Sequence, residues 1–222
     1  MKLTRSVSAL LFAASLPLMQ AQSSAPDSSG PLKLGGITVT GSLRSRLYFW
    51  DWFQPASGNN NYQYSGNLFR IGLSQSRDTW DWNAEFAVPF MLGLPSSATG
   101  TGPQQGALGL GANYFSANSA SGNTAMIFPK QLYVRFDGLG GNKGHTLQMG
   151  RFEFMDGSEV LPKNVTLAAV KRDRVFQRLI GNFGFSDVGR SFDGVHYAYA
   201  TPNNNFTFVG AVPTRGVFQV DG

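Results

Sequence analysis

In the stretch ITVTGSLRSRLYF, Ile37, Val39, Leu43, Leu47 and Phe49 fall on odd positions, while Thr38, Thr40, Ser42, Arg44 and Arg46 fall on even ones. Successive side chains of a strand point to opposite faces, so this segment predicts one apolar and one polar face. The alternation returns in NLFRIGLSQ, where Phe69, Ile71 and Leu73 oppose Arg70, Gly72 and Ser74. In WDWNAEFAVPF it sets Trp80, Trp82, Ala84, Phe86, Val88 and Phe90 against Asp81, Asn83 and Glu85. QLYVRFD, HTLQMGRFEF, SFDGVHYAYA and FTFVGAV continue the series, giving about seven strands in all. Large rings opposite carboxylates suit a wall between lipid and water better than the inside of a soluble sandwich. The end of the first strand, YFWDWF, gathers Phe49, Trp50, Trp52 and Phe53, as expected of an interfacial aromatic girdle.

The connections sort into two kinds. SRD, GLGGNKG and TPNNN are short turns, and they alternate with long segments after the first, third and fifth strands. Short turns at one rim and long loops at the other are the habit of outer-membrane barrels. Residues 91–127 are rich in Gly, Ser and Ala and carry no period, which predicts a loop. At Gly150 and Arg151 the pattern blurs, which predicts a bulge or the membrane edge. Such barrels normally close with an even number of strands, and VFQVDG places a turn dipeptide where another strand should follow. The expected fold is therefore all-β: an antiparallel transmembrane β-barrel over residues 35–222, incomplete in this chain and forming the N-terminal portion of a larger one.

One long connection departs from the period of two. In VTLAAVKRDRVFQRLIG, Val165, Ala168, Ala169, Val175, Phe176, Leu179 and Ile180 form a stripe at helical spacing, interrupted by Arg172. Lys171, Arg174 and Arg178 line the opposite side, Asn164 suits the N-cap, and Gly181 suits the position past the end. This predicts a short helix in an extracellular or in-pore loop, its apolar stripe against the barrel wall and its basic stripe towards the channel. The plainer alternative is a solvated loop face paired with Asp173, Asp187 and Glu159. Arg44, Arg46, Arg70 and Arg135 on polar strand faces favour a basic lumen that concentrates anions, with Asp81, Glu85 and Asp193 as partners.

The N-terminus fits export. Lys2 and Arg5 precede the apolar run Val7 to Leu18, and Ala21 suits cleavage, so residues 1–21 are expected to be a signal peptide and 22–34 a flexible lead. No later apolar run is long enough for a membrane helix, so spanning must use strands. Removing Lys2 and Arg5 from the 18 basic residues leaves 16 against 13 acidic ones, too mild a balance for a nucleic-acid binder. With no cysteine, disulfides and thiolate metal sites are excluded. The 27 glycines, 18 phenylalanines and 14% charged residues match a chain whose faces alternate between hydrocarbon and water. The two histidines, His145 and His196, neighbour no serine nucleophile motif, so an outer-membrane hydrolase is the weaker alternative, and no cofactor or metal is expected. A soluble exported β-sandwich that binds sugars through Trp and Tyr is the other rival.

The segments GRFEF at Gly150 to Phe154, KRDR with QRLIG, and RSFDG at Arg190 to Gly194 resemble the alginate export family of outer-membrane barrels, most densely from Gln148 to Tyr199. The resemblance implies an eighteen-stranded channel in the bacterial outer membrane, surrounded by its lipid, that conducts an anionic polyuronate between lumenal arginines, lysines and carboxylates. Carried onto this chain, it implies lumenal roles for Arg151, Lys171, Arg172, Arg174, Arg178, Arg190 and Asp193.

Overall fold

The computed structural model describes residues 30–51, 55–100, 106–157, 162–172, 180–201 and 203–222. The expected signal peptide, most of the lead, Trp52, Phe53, Arg174 and Arg178 lie outside them. The described chain is mostly antiparallel sheet. Its strands are β1 (Lys33–Leu34), β2 (Ile37–Trp50), β3 (Tyr62–Ser76), β4 (Trp80–Leu92), β5 (Asn123–Ala125), β6 (Phe128–Asp137), β7 (His145–Phe152), β8 (Phe192–Ala200) and β9 (Asn205–Pro213). Two short helices, α1 (Leu110–Ala117) and α2 (Val165–Val170), lie in long connections. All strands belong to one sheet, in the order β1-β2-β3-β4-β6-β7-β8-β9, with β5 also pairing β4. The sheet is not closed, because β2 and β9 are its last long strands and do not pair with each other.

The seven long strands fall where the alternation places them, and their two faces differ as the alternation requires. On one face Leu43, Leu47 and Phe49 are 65%, 73% and 75% exposed, and Phe69, Ile71, Phe86, Leu132, Phe206 and Phe208 are exposed beside them. The other face carries Arg44, Arg70, Asp81, Glu85 and Arg135 and is covered at its upper end, where the long connections emerge. No second sheet stands against either face among the described residues.

What covers the polar face is loop. Tyr114 of α1, Val188 of the β7–β8 connection and Val220 beyond β9 are buried with Tyr64, Leu68, Ala87, Met91 and Phe128 of the strands in one cluster. Residues 91–127, expected to be a structureless loop, thus contain α1. Its sequence LGANYFSA has a weak helical signal: Gly111 and Asn113 are poor helix formers, and Gly109 at the N-cap supplies no side-chain hydrogen bond. Tertiary packing makes the helix. A side chain at Gly111 would meet the rings of Tyr62 and Tyr64, so glycine alone permits this approach.

Three further corrections concern element edges. β3 begins at Tyr62, not Asn67, because Tyr62 and Tyr64 stack across the ladder on Trp50 and Tyr48, with ring centroids 6.3 and 4.6 Å apart. Trp50 therefore joins the covered face while Phe49 stays outward, which splits the expected girdle. Lys33–Leu34, assigned to the flexible lead, form a tight hairpin with β2 through Gly35, whose φ of 62° favours glycine.

Replacing Gly111 with Leu is expected to overpack the helix against Tyr62 and Tyr64 and cost about 1–3 kcal/mol. Denaturant unfolding measures the loss, and protease cleavage within 106–122 should rise with it.

Candidate functional site

Along the covered face the charged side chains form three tiers. Nearest the short turns, Arg135 pairs with Asp81, its direct partner across β4 and β6, at 2.5 Å. In the middle, Arg70 of β3 meets Glu85 of β4 at 3.2 Å and Glu153 at 3.2 Å, and Glu153 also reaches Lys130 at 3.4 Å. At the upper end, Arg44 and Arg46 of β2 lie 3.4 and 3.8 Å from Asp187. Each tier joins cations to carboxylates, so the face is mixed in charge. Arg135 faces Asp81 directly in the register, whereas Arg70, opposite Ala87, reaches Glu85 on the diagonal.

Lys130 owes its place to a bulge. β4 and β6 change register between Glu85 and Phe86, where Pro129 faces Phe86 and Gln131 faces Glu85, so Lys130 is the extra residue. Proline lacks the N–H that a regular ladder needs, and bulges re-aim side chains. The Lys130 side chain is fully buried and donates to the Val188 carbonyl at 3.2 Å, while the Ser191 hydroxyl donates to the Lys130 carbonyl at 2.7 Å. The wall and the β7–β8 connection are fastened together there.

Asp187 fastens the same connection higher up. Its Oδ1 accepts from the Tyr48 hydroxyl at 3.0 Å and from Arg44, and its backbone N–H donates to the Tyr114 hydroxyl at 2.5 Å. Arg44 also donates to the Ser186 carbonyl at 2.6 Å, and Arg46 to the Phe185 carbonyl at 3.2 Å. Oδ2 has no hydrogen-bond partner and packs against Gly66, where any side chain would collide with it. Burial raises the Asp187 carboxyl above its ordinary value of 3.8, and the Tyr48 hydrogen bond with the two arginines only partly offsets this. Half of the carboxylate is solvated by nothing, which accounts for the direction.

The structure redistributes the residues expected at the site. Arg44, Arg46, Arg70, Glu85 and Arg135 come together on one face. Arg151 and Asp193, expected in the lumen, instead form a forked ion pair with both contacts at 2.7 Å on the opposite, apolar face. The reason is register: Arg151 sits opposite Leu132 and Asp193, two residues from Met149, with no slip at Gly150. Arg190 is half-buried, its guanidinium 4.6 Å above the Phe183 ring, apart from the tiers. In α2 the Asn164 side chain caps the Leu167 N–H as expected, at 3.1 Å. Of its apolar stripe, Val165 is 84% exposed and Ala168 and Ala169 are half-buried, while Val175, Phe176 and Leu179 lie outside the described residues. Lys171 and Arg172 follow α2 directly and take no part in the three tiers, while Arg174 and Arg178 lie outside the described residues. His145 and His196 are on opposite faces of the sheet; His145 stands 2.6 Å from the Tyr197 hydroxyl.

Three members of the tiers escaped sequence reasoning. Glu153 lies just past the end of β7, where a strand pattern no longer assigns faces. Lys130 is out of phase because of the bulge, and the FPKQ stretch, with Pro beside a charge at a strand start, is the only signal. Asp187 lies in a loop and entered only the plainer alternative, as one partner of the basic run at Lys171 to Arg178. No family model, curated protein or solved structure matches this chain.

Removing one partner from a buried charge cluster leaves the other uncompensated. Lys130→Ala is expected to cost about 3 kcal/mol, and the double variant Lys130→Met with Glu153→Gln to recover much of that loss, both read by denaturant unfolding. A second expectation concerns pH. A carboxyl raised in the folded state contributes stability that is fully present below its ordinary value and lost as pH rises through the raised one. The stability difference between the native chain and Asp187→Asn should therefore shift in favour of the native chain as pH falls from neutral towards 4.

Proposed function

We propose that this sheet is part of the wall of an outer-membrane β-barrel channel that passes anionic solutes, in the manner suggested by its resemblance to the alginate export family. The observation that carries the reading is the opposition of the two faces. Seven long strands present mainly Leu, Ile, Val, Phe, Tyr and Trp to the uncovered side, broken by the Arg151–Asp193 pair, while β2, β3, β4 and β6 present arginines, a lysine and carboxylates to the other. In water, an apolar surface spread over a whole sheet would drive association. Against hydrocarbon, the same surface is the required one, and the charged face then lines an aqueous path. The single sheet, with no second sheet against it among the described residues, supports a barrel wall over a sandwich. The remaining strands of the barrel would pair with the open edges of β2 and β9. Since both run in the same direction, an odd number of further strands would complete an antiparallel closure.

In this reading Arg44, Arg46, Arg70 and Arg135 attract anions, while Asp81, Glu85, Glu153 and Asp187 limit how tightly any one anion is held. A conducting path needs attraction that is spread over several sites and weak at each. Polyuronates, with one carboxylate per sugar, are the class of cargo that such a ladder suits best.

Single-channel recording in planar bilayers tests this. Replacing Arg44, Arg46 and Arg70 by Gln is expected to move the reversal potential in a salt gradient towards cation preference. An absence of channels from the protein carrying the complete barrel, or an unchanged reversal potential in its variant, would contradict the reading.

A further inference from the structure

We propose that Arg44, Arg46 and Tyr48 form a carboxylate-binding site that Asp187 fills from within the chain, and that a carboxylate-bearing solute binds there by exchanging with the Asp187 loop. The identity of the solute as cargo rests on the channel reading; the site itself rests on the geometry.

Four observations converge on it. First, the site is built. Two guanidinium groups and one phenol hydroxyl meet at a single carboxylate oxygen, Oδ1 of Asp187. Second, the resident ligand is poorly held, since Oδ2 has no hydrogen-bond partner and rests on Gly66. An outside carboxylate can set both oxygens against a guanidinium fork, the geometry that makes such pairs strong. Third, the site is reachable. Asp187 is buried, but the Arg44 and Arg46 side chains are 34% and 38% exposed, so a solute meets the arginines before the loop has moved.

Fourth, the loop is constructed to release one stretch and keep another. Residues Val188 to Ser191 are tied to the wall through Lys130, and the Arg190 N–H donates to the Asn182 carbonyl at 2.6 Å. Between these ties, Phe183 holds a φ of 53°, a left-handed backbone that is strained for a non-glycine residue. Such a conformation persists only while its surroundings enforce it. The Gly184, Phe185 and Ser186 carbonyls accept from Arg44 and Arg46, and those contacts are ones water or a solute can replace. Displacing Asp187 relieves strain at Phe183 while 188–191 stays anchored, and it must also break the Asp187 N–H bond to the Tyr114 hydroxyl and the Gly189 N–H bond to Ser186 Oγ, whose loss the incoming carboxylate has to offset.

The test uses the folded chain in detergent micelles, with glucuronate as probe and glucose as the neutral control of the same size at matched ionic strength. Chymotrypsin cleavage after Phe183 and Phe185 reports release of the loop, and calorimetry reports binding. Glucuronate is expected to speed cleavage where glucose does not, and Arg44→Gln with Arg46→Gln to abolish the response. Asp187→Asn removes the internal competitor and should tighten glucuronate binding about tenfold, the occupancy penalty being lifted. Equal responses to glucuronate and glucose overturn the proposal, and so does an Asp187→Asn variant that binds no more tightly. Should that variant fail to fold, the comparison of the two sugars on the native chain decides alone. The readout needs no conductance: a loop response without channels removes only the transport reading, and channels without a loop response remove only the exchange site.

Discussion

A strand has two faces and no third, and everything in this molecule follows from how each strand assigns its residues to them. Once Leu43, Leu47 and Phe49 are committed to one side of β2, Arg44 and Arg46 have only the other, and register with β3 repeats the division at Ile71 and Arg70. The same division passes through β4, β6, β7, β8 and β9 by direct antiparallel pairing. Charges carried on separate strands are thereby gathered on one surface, where they meet at hydrogen-bonding distance. A slip of one residue would move the whole set to the opposite face, so the ladder fixes the charged tiers as firmly as it fixes the sheet.

The long connections answer the polar face. Half-buried arginines and a buried lysine need partners, and the loops bring them as Glu153, Asp187 and a row of backbone carbonyls. The loops in turn need a core, which Tyr114, Val188, Val220 and the inward rings of Tyr48 and Tyr64 provide. Apolar packing holds the covering segments near the wall, and charge pairing selects where they sit. This arrangement explains why the tiers are mixed in sign: a face of unpaired arginines under a folded loop would carry a desolvation cost that no packing offsets. It also leaves Asp187 as a ligand whose hold is incomplete, since one of its oxygens does the work of two.

The strands and their faces were legible in the sequence because alternation is a local signal and the sheet obeys it almost without exception. Arg44, Arg46, Arg70, Glu85 and Arg135 fall on one face for that reason. The features that were missed depend on contacts far apart in the chain. Helix α1 has neither cap nor propensity and exists through the approach of Gly111 to Tyr62 and Tyr64. Lys130 turns inward through a bulge at Pro129. Arg151 was placed by resemblance, and Asp193 both as a lumenal partner of the strand arginines and by resemblance; counting by twos from Met149 and from Val195 gives the face each occupies. The first part of the expected stripe, Val165–Val170, is helical as read, yet a helical period says nothing about which surface, if any, receives it.

The division of faces can be measured directly, because the chain has no cysteine of its own. Single cysteines at Leu47 and Phe208 on one face, and at Ser42 and Thr207 on the other, would be probed in lipid vesicles. A charged, water-borne maleimide reports contact with water, and bromolipid quenching of a bound fluorophore reports contact with acyl chains. Residues 47 and 208 should be quenched by lipid and spared by the maleimide, and residues 42 and 207 should behave the opposite way. Labelling of all four positions by the aqueous reagent, with no quenching at 47 or 208, would mean that the apolar face does not meet a membrane.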